Sequence, residues 1–369
     1  MKIFKIMLPV IALLAVGSGC ANKNDANVAE QKNNKNSLHE RVEEYEKISD
    51  ICYSNFNAEK CNELGVSFEL GKGVKQNYKW AVLSYGLACR KNNALACRKA
   101  GILYYQSYNH EIEEYLDYGE PEELFHKSCN LNDAEGCNRL GLLYENGLEI
   151  KKLAPDLKKA QAYYEKACNM GSGYGCGNLA NFYEYGRGLK TDYGKARVYY
   201  EKGCNLGNDN GRSCLKLSFF YGEGQGVKKD YSKSSVYSEK ACNLNSGGGC
   251  FNLALSYEHG YGVKQDYQKA KTYYEKACNL DNGDGCLNLG VLYGKGLGVR
   301  QDMSVAVSYY EKSCNLKVDI ACNNLGIVFN NGVGVRQNRT TAKEYYGKAC
   351  DLGNQEGCDN YRKLNEQSY

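Results

Sequence analysis

Residues 286–314 read CLNLGVLYGKGLGVRQDMSVAVSYYEKSC, and this stretch decides the fold. It begins and ends on a cysteine, and a glycine-rich loop separates its two apolar-periodic segments. The stretch before it, residues 250–278, reads CFNLALSYEHGYGVKQDYQKAKTYYEKAC and matches it position by position. A unit that recurs at a fixed step predicts a solenoid, in which each unit contacts its neighbours.

Both halves of the unit have the spacing of an α-helix. Leu289 and Tyr293 lie one turn apart and give the first helix an apolar face. A Gly-x-Gly-apolar loop ends that helix, because glycine accepts a left-handed backbone easily. Asp302 is placed to cap the second helix, which carries the pair Tyr309 and Tyr310. We therefore predict an all-α fold of antiparallel helix pairs.

The residue after each core leucine, or after its alanine counterpart, is small in every unit, which predicts that a neighbouring helix backbone approaches closely there. These residues are Gly65, Gly101, Gly141, Ala180, Ser218, Ala254, Gly290 and Gly326.

Eighteen of the 19 cysteines form nine regularly placed pairs, most of them eight residues apart. We expect each pair to be a disulfide that joins the end of one helix pair to the start of the next. A loop of that size contributes about 2–3 kcal/mol by the chain-entropy estimate. Paired cysteines at this density indicate an oxidising compartment. The pairs are Cys52–Cys61, Cys89–Cys97, Cys129–Cys137, Cys168–Cys176, Cys204–Cys214, Cys242–Cys250, Cys278–Cys286, Cys314–Cys322 and Cys350–Cys358.

The chain begins with features of an export signal. Residues 1–19 have two lysines, an apolar core and small residues before Cys20, as in a secretory leader. We expect Cys20 to carry a lipid, with ordinary cleavage nearby as the alternative, so the protein is expected in the periplasm, on the outer membrane or outside the cell. The predicted organisation is a polar tether at 20–37, a capping helix at 38–60, eight repeats at 61–350 and a capping helix at 351–369.

The repeated motifs resemble those of a known family. C-x-N-L-G, Gly-x-Gly-Val, Asp, Lys-Ala and Tyr-Tyr-Glu-Lys-Ala-Cys are similar to the Sel1-like repeat, a relative of the tetratricopeptide repeat. With paired cysteines and a leader, the chain resembles the Helicobacter cysteine-rich proteins. The resemblance implies a right-handed α/α superhelix with one disulfide per pair. It also implies two functions described for that family, penicillin binding with weak β-lactamase activity and contact with host cells.

The sequence contains few residues that suggest catalysis. Ser213 and Lys216 form the one Ser-x-x-Lys in the repeats, the spacing of a serine β-lactamase nucleophile and its lysine. The partner motifs Ser-Asp-Asn and Lys-Thr-Gly are missing from the sequence, so these two residues are weak candidates. The four histidines are scattered, and we expect neither a metal site nor a cofactor.

A binding scaffold is the leading interpretation. The net charge is +4, with both signs spread along the chain, which gives no case for nucleic-acid binding. Asn178, Asn252, Asn288 and Asn324 recur two residues after a cysteine, where amides suit hydrogen bonds to a peptide backbone. We expect a monomer that binds a peptide or protein in a concave groove, with membrane contact only through a lipid. A weak β-lactamase and a peptidoglycan-associated lipoprotein are the alternatives, with penicillin-type or peptidoglycan ligands.

Overall fold

The computed structural model describes residues 57–107, 120–147 and 154–366. Within these ranges the chain forms helices joined by loops and turns, and no strand. The leader, the tether, Cys20 and most of the predicted capping helix at 38–60 lie outside the described residues. The chain divides into two compact units, Met1–Lys91 and Asn92–Tyr369, which are described separately.

The first unit contains one helix pair, α1 (Ala58–Leu70) and α2 (Tyr78–Arg90). The Asn57 side chain caps α1 by accepting from the N–H of Glu59. The buried Tyr85 on α2 donates a hydrogen bond to Glu69 on α1 at 2.5 Å, which joins the two helices.

The second unit continues the same alternation of first and second helices. Its helices are α3 (Ala94–Ser107), α4 (Pro121–Asn130), α5 (Ala134–Asn146), α6 (Leu157–Asn169), α7 (Gly173–Tyr185), α8 (Tyr193–Leu206), α9 (Arg212–Glu223), α10 (Tyr231–Asn243), α11 (Gly247–His259), α12 (Tyr267–Asn279), α13 (Gly283–Lys295), α14 (Met303–Asn315), α15 (Asp319–Asn331), α16 (Arg339–Asp351) and α17 (Gln355–Glu366). Each helix packs against the next one in the chain. Successive first helices, such as α5 with α7 and α7 with α9, also touch directly, which puts them on the inner side of the stack.

Side-chain caps and glycines set the helix ends as the sequence predicts. Asp192, Asp230, Asp266 and Asp302 each accept a backbone N–H in the first turn of a second helix. Gly332 ends α15 in the left-handed conformation at φ 67°.

Where the small residue of a first helix is glycine, it faces an aromatic ring of the following second helix, a contact that the sequence did not suggest. A Cβ added at Gly141 would lie 2.5 Å from the ring of Tyr164, and one at Gly326 would lie 2.4 Å from that of Tyr346. Both rings are buried. The second tyrosine of each pair therefore fills the space between the two helices, which explains why the position opposite must be small.

From α6 to α16, the tyrosine five residues before the cysteine that ends each second helix stacks on an aromatic side chain of the first helix in the same helix pair. Ring centroids are 5.5–5.8 Å apart, and the rings are within 20° of parallel. The stacked pairs are Tyr144/Tyr163, Tyr183/Tyr199, Tyr221/Tyr237, Tyr257/Tyr273, Tyr293/Tyr309 and Phe329/Tyr345.

In the second unit, the second glycine of each Gly-x-Gly loop makes a contact that the sequence did not reveal. Gly226, with φ 64°, lies so close to the start of α8 that a Cβ would meet the Cβ of Tyr193 at 2.4 Å. Gly334 approaches Met303 at the start of α14 in the same way, at 2.3 Å. These glycines therefore let each loop lie against the preceding helix pair.

Seven disulfides join consecutive helix pairs in the second unit. They link Cys129–Cys137, Cys168–Cys176, Cys204–Cys214, Cys242–Cys250, Cys278–Cys286, Cys314–Cys322 and Cys350–Cys358. The Cα atoms are 4.4–4.8 Å apart, so each bridge holds two helix ends close together. Cys61, Cys89 and Cys97 are also disulfide-bonded, and Cys52 lies outside the described residues. The predicted all-α solenoid of disulfide-stapled antiparallel helix pairs is confirmed.

Candidate binding surface on the first helices

On each first helix, the residues two and five positions after the second cysteine of a pair lie on the same side, which faces away from the core leucine. They lie one turn apart, as Asn252 and Leu255 do on α11, and the core leucine lies between them on the other side of the helix. We call this surface the first-helix face. Its members from α7 to α15 are Asn178, Asn181, Lys216, Phe219, Asn252, Leu255, Asn288, Val291, Asn324 and Ile327.

The face is open along α11, α13 and α15. Asn252 and Asn324 are partly exposed, and neither amide is hydrogen-bonded to another side chain in the described part of the chain. The Asn288 amide donates to the Tyr274 hydroxyl at 3.1 Å, which leaves its carbonyl oxygen for other donors. The partly buried Leu255, Val291 and Ile327 run beside them. We call the three asparagines and three aliphatic residues the open stretch.

The face is closed along α5, α7 and α9. Asn178 is 7% exposed, and its amide donates to the carbonyl oxygen of Asn138 on α5 at 2.8 Å. Its own carbonyl oxygen accepts from Arg212 on α9 at 3.4 Å. Asn178 was predicted as a ligand-binding residue, but its hydrogen-bonding groups are occupied within the protein, so we remove it from the candidate site.

The structure does not combine Ser213 and Lys216 into a nucleophile and base. Ser213 is fully buried, with 0% exposure, and its hydroxyl has no hydrogen-bond partner among the described residues. The Lys216 ammonium is instead 3.2 Å from both carboxylate oxygens of Glu184 and 2.8 Å from the Tyr185 hydroxyl.

Burial alone would lower the pKa of Lys216. The hydrogen bond to Tyr185, together with the charge of Glu184 and the hydrogen bond to it, raises that pKa. A lysine with a raised pKa stays protonated and is a poor general base. Ser213 is also closed to a substrate, since no part of it reaches solvent. The geometry therefore assigns both residues to packing and to a charge pair between α7 and α9.

A polar cluster outside this face lies at the junction of α4, α5 and α6. The His126 ring lies 3.3 Å from the Tyr144 hydroxyl and 3.4 Å from the Tyr163 hydroxyl, and the Tyr144 hydroxyl donates to Glu122. Sequence analysis missed this cluster because His126 stands where the other second helices carry glutamate or glycine. Among the described residues, no three His, Cys, Asp or Glu side chains come together as metal ligands.

The family assignment follows from the repeats. The profile of the Sel1 repeat matches residues 61–93, 134–172, 173–208, 211–246, 248–282, 283–318 and 319–354. The chain belongs to the Sel1 repeat family. The profile leaves out residues 94–133, where α3 and α4 still pack as a helix pair.

Solved structures support the Sel1 fold. One is c5321, a protective antigen present in uropathogenic Escherichia coli strains that displays an SLR fold. It is 22% identical, covers 87% of this chain and 67% of its own, and has a TM-score of 0.63. A Sel1 repeat protein from Oxalobacter formigenes is 23% identical over 70% of this chain and 96% of its own, with a TM-score of 0.55.

Cysteine-rich protein B of Helicobacter pylori is 38% identical over 37% of this chain and 98% of its own, with a TM-score of 0.31. No protein with a curated description matches the chain.

The disulfides also bear on where this Sel1 repeat protein works. Several bridges in one chain indicate an oxidising, extracytoplasmic environment. Within the described residues, no helix has the length and apolar character needed to cross a membrane.

Proposed function

We propose that this Sel1 repeat protein is an exported scaffold that binds an extended peptide segment of a partner protein along the open stretch. The observation that supports this is the free hydrogen-bonding capacity of Asn252 and Asn324 beside a row of aliphatic side chains. An amide both donates and accepts, so it can pair with the N–H and C=O groups of a peptide backbone.

The pattern of the open stretch suits a strand-like ligand. Asn252, Asn288 and Asn324 recur at steps of 36 residues, one per repeat, so they offer hydrogen bonds at regular intervals. Leu255, Val291 and Ile327 offer apolar contacts at the same intervals. Backbone hydrogen bonds would provide affinity, and side-chain contacts with the aliphatic row would provide selectivity.

Selection from a phage-displayed library of 12-residue peptides on the oxidised protein tests the proposal. For an enriched peptide, we expect the triple variant Asn252→Ala, Asn288→Ala, Asn324→Ala to weaken binding at least tenfold. The matched control is Asn243→Ala, Asn279→Ala, Asn315→Ala, which alters exposed asparagines at the ends of second helices and should change affinity less than twofold.

N-methylation of alternate backbone amides of the same peptide should also reduce affinity, because it removes donors without changing side chains. Equal binding by the triple variant and wild type, or by methylated and unmethylated peptide, would refute the proposal.

For location, we propose that the scaffold is exported by the leader at 1–19 and anchored through a lipid on Cys20. The disulfides support export, and the polar segment at 20–37 suits a tether. Mass spectrometry of the mature N-terminus tests the anchor: an acylated Cys20 is expected, and an unmodified N-terminus at another residue would contradict it.

A further inference from the structure

One edge of the second unit carries a row of exposed basic residues. The loops that join α7 to α8, α9 to α10, α11 to α12, α13 to α14 and α15 to α16 share the sequence Gly-x-Gly-apolar-basic. The last residue of this motif is exposed in all five loops. We call these residues the basic loop row: Lys190, Lys228, Lys264, Arg300 and Arg336.

The fold makes this row continuous. Gly226, Gly262 and Gly298 bring each loop into contact with the start of the preceding second helix. Successive loops therefore lie side by side along one edge. The sequence spreads these charges 36 to 38 residues apart, which is why they do not appear there as a basic run.

The five charges of the row are unpaired within the part of the chain that the structure describes. Among the described residues, no carboxylate lies within 4.0 Å of any of the five cationic groups. The nearby Asp230, Asp266 and Asp302 each accept a backbone N–H at a helix N-terminus, where their negative charge meets the positive end of the helix dipole.

The turns at the opposite edge carry both signs: Asp281, Asp284 and Asp351 lie at or beside them, and so do Lys276, Lys317 and Lys348. The basic loop row differs from that edge in having five cations that no carboxylate of the described residues neutralises.

Two exposed apolar residues, Tyr261 and Val333, lie beside the charges at the C-terminal end of the row, and Leu297 between them is partly buried against the core. The middle residue of the Gly-x-Gly motif is Tyr261, Leu297 or Val333 in the last three loops. Tyr261 is 48% exposed and Val333 is 46% exposed. Exposed aromatic and aliphatic side chains beside lysine and arginine are typical of surfaces that contact the headgroup region of a membrane.

We propose that the basic loop row docks on a membrane surface rich in anionic lipid. A line of separate cations along an edge matches an extended negative surface better than a small anion, which needs converging donors. The apolar loop tips can insert into the headgroup region of a membrane, whereas a hydrophilic polyanion offers them no apolar contact. This contact is separate from peptide binding on the first-helix face and needs no lipid on Cys20.

Vesicle flotation tests the proposal. The probe is the oxidised chain from residue 20 onward, which contains every described helix, with Cys20→Ser to prevent acylation. We expect it to float with vesicles of phosphatidylcholine and phosphatidylglycerol (7:3), and much less with pure phosphatidylcholine or in 0.5 M salt. Each basic residue near such a surface contributes about a fivefold change in partitioning.

The quadruple variant Lys228→Gln, Lys264→Gln, Arg300→Gln, Arg336→Gln should reduce partitioning at least tenfold. The matched control removes the same charge from the last turns of second helices, through Lys166→Gln, Lys240→Gln, Lys276→Gln, Lys312→Gln, and should bind like wild type. Val333→Ser should reduce binding by a further step that persists in high salt.

Equal flotation of the two quadruple variants, or equal binding to neutral and anionic vesicles, would overturn the proposal. Retention on heparin or DNA that depends on the row, with no effect of Val333→Ser on vesicles, would assign the edge to a soluble polyanion and also overturn it. Circular dichroism of each variant confirms that the helices are intact.

Discussion

The closed and open stretches of the first-helix face differ although the same kind of residue stands at the same position. Asn178 is buried in a hydrogen-bonded chain between α5 and α9, whereas Asn252 and Asn324 have no side-chain partner in the described structure. The backbone is alike in both places, so the difference comes from the neighbouring repeat.

The residue directly after the cysteine in the preceding repeat decides the outcome. For Asn178 that residue is Asn138, which accepts its amide hydrogen. For Asn324 it is Leu287, which offers no hydrogen bond. Asn360, which follows Asn323 by one repeat, is bonded to it at 3.3 Å, so the rule holds again at the end of the stack. An asparagine on this face therefore has no partner in the preceding first helix when its predecessor is apolar; Asn288, whose predecessor is Phe251, instead donates to the Tyr274 hydroxyl.

The first helices of both stretches pack against equivalent buried tyrosines of the second helices. The largest expected effect concerns the ionisation of these tyrosines. Burial raises the pKa of Tyr164, Tyr200 and Tyr274, and hydrogen bonds to Glu184 and Glu258 add to the rise for Tyr200 and Tyr274. Above pH 10 the unfolded chain loses these protons while the folded chain keeps them. The contribution of these groups to the free energy of unfolding should therefore be independent of pH below pH 10. Above pH 10 the free energy of unfolding should fall by about 1.4 kcal/mol per pH unit for each tyrosine.

Urea unfolding at pH 8, 9.5, 10.5 and 11 measures this loss. Tyr274→Phe should make the fall less steep by about one proton, because it removes one of the buried hydroxyls whose pKa is raised. Stability that stays constant up to pH 11 would show that the hydroxyls ionise freely in the folded state.

Removing one disulfide from each stretch should cost the next largest amount. The double variants Cys278→Ser with Cys286→Ser and Cys168→Ser with Cys176→Ser should each lower the free energy of unfolding by about 2.5 kcal/mol, since their loops are equally long. At the α6–α7 junction, Ser172 also donates to Glu135 on α5 at 3.1 Å. Hydrogen exchange should therefore rise more in α13 of the first variant than in α7 of the second, and the reverse order would contradict this reading of the contacts.

Alanine substitutions of the asparagines should lower stability in the closed stretch and leave it nearly unchanged in the open stretch. Asn178→Ala should destabilise the protein by about 1–2 kcal/mol, because it leaves Asn138 and Arg212 without their buried partner. Asn252→Ala and Asn324→Ala should change stability by no more than about 0.5 kcal/mol, as expected for partly exposed residues without partners. Thermal and urea unfolding measure all three, and equal losses would remove the distinction between closed and open stretches.

The helices, their caps and the solenoid could be predicted because each depends on residues close together in the chain. Asp302 and Gly332 act within one turn of their own helix, so their roles show in the local sequence. The partner of Asn178 lies 40 residues away, and the contact of Gly226 with Tyr193 also crosses a repeat boundary. Such contacts become visible only when residues are compared across one repeat step, which explains why Asn178 was assigned to the ligand site.

The smallest expected effect concerns lysines that cover the stacked tyrosines. Lys269 on α12 lies 5.0 Å from the ring centre of Tyr257, and Lys159, Lys195 and Lys233 occupy the same position in the three preceding helix pairs. The last two complete pairs have Val305 and Thr341 there, yet their aromatic rings still stack, at interplanar angles of 20° and 10°. The lysine therefore adds to a geometry that packing already sets.

We expect Lys269→Met, which keeps the apolar stem, to cost about 0.5 kcal/mol, the size of an exposed cation–π contact. Lys264→Met, at an exposed lysine with no ring beneath it, is the matched control and should cost nothing measurable. A double-mutant cycle with Tyr257→Leu isolates the contact between the lysine and the ring. A coupling energy near zero would show that the lysine lies over the ring without stabilising it. In that case these helix pairs would gain no stability over the last two pairs, which lack the lysine.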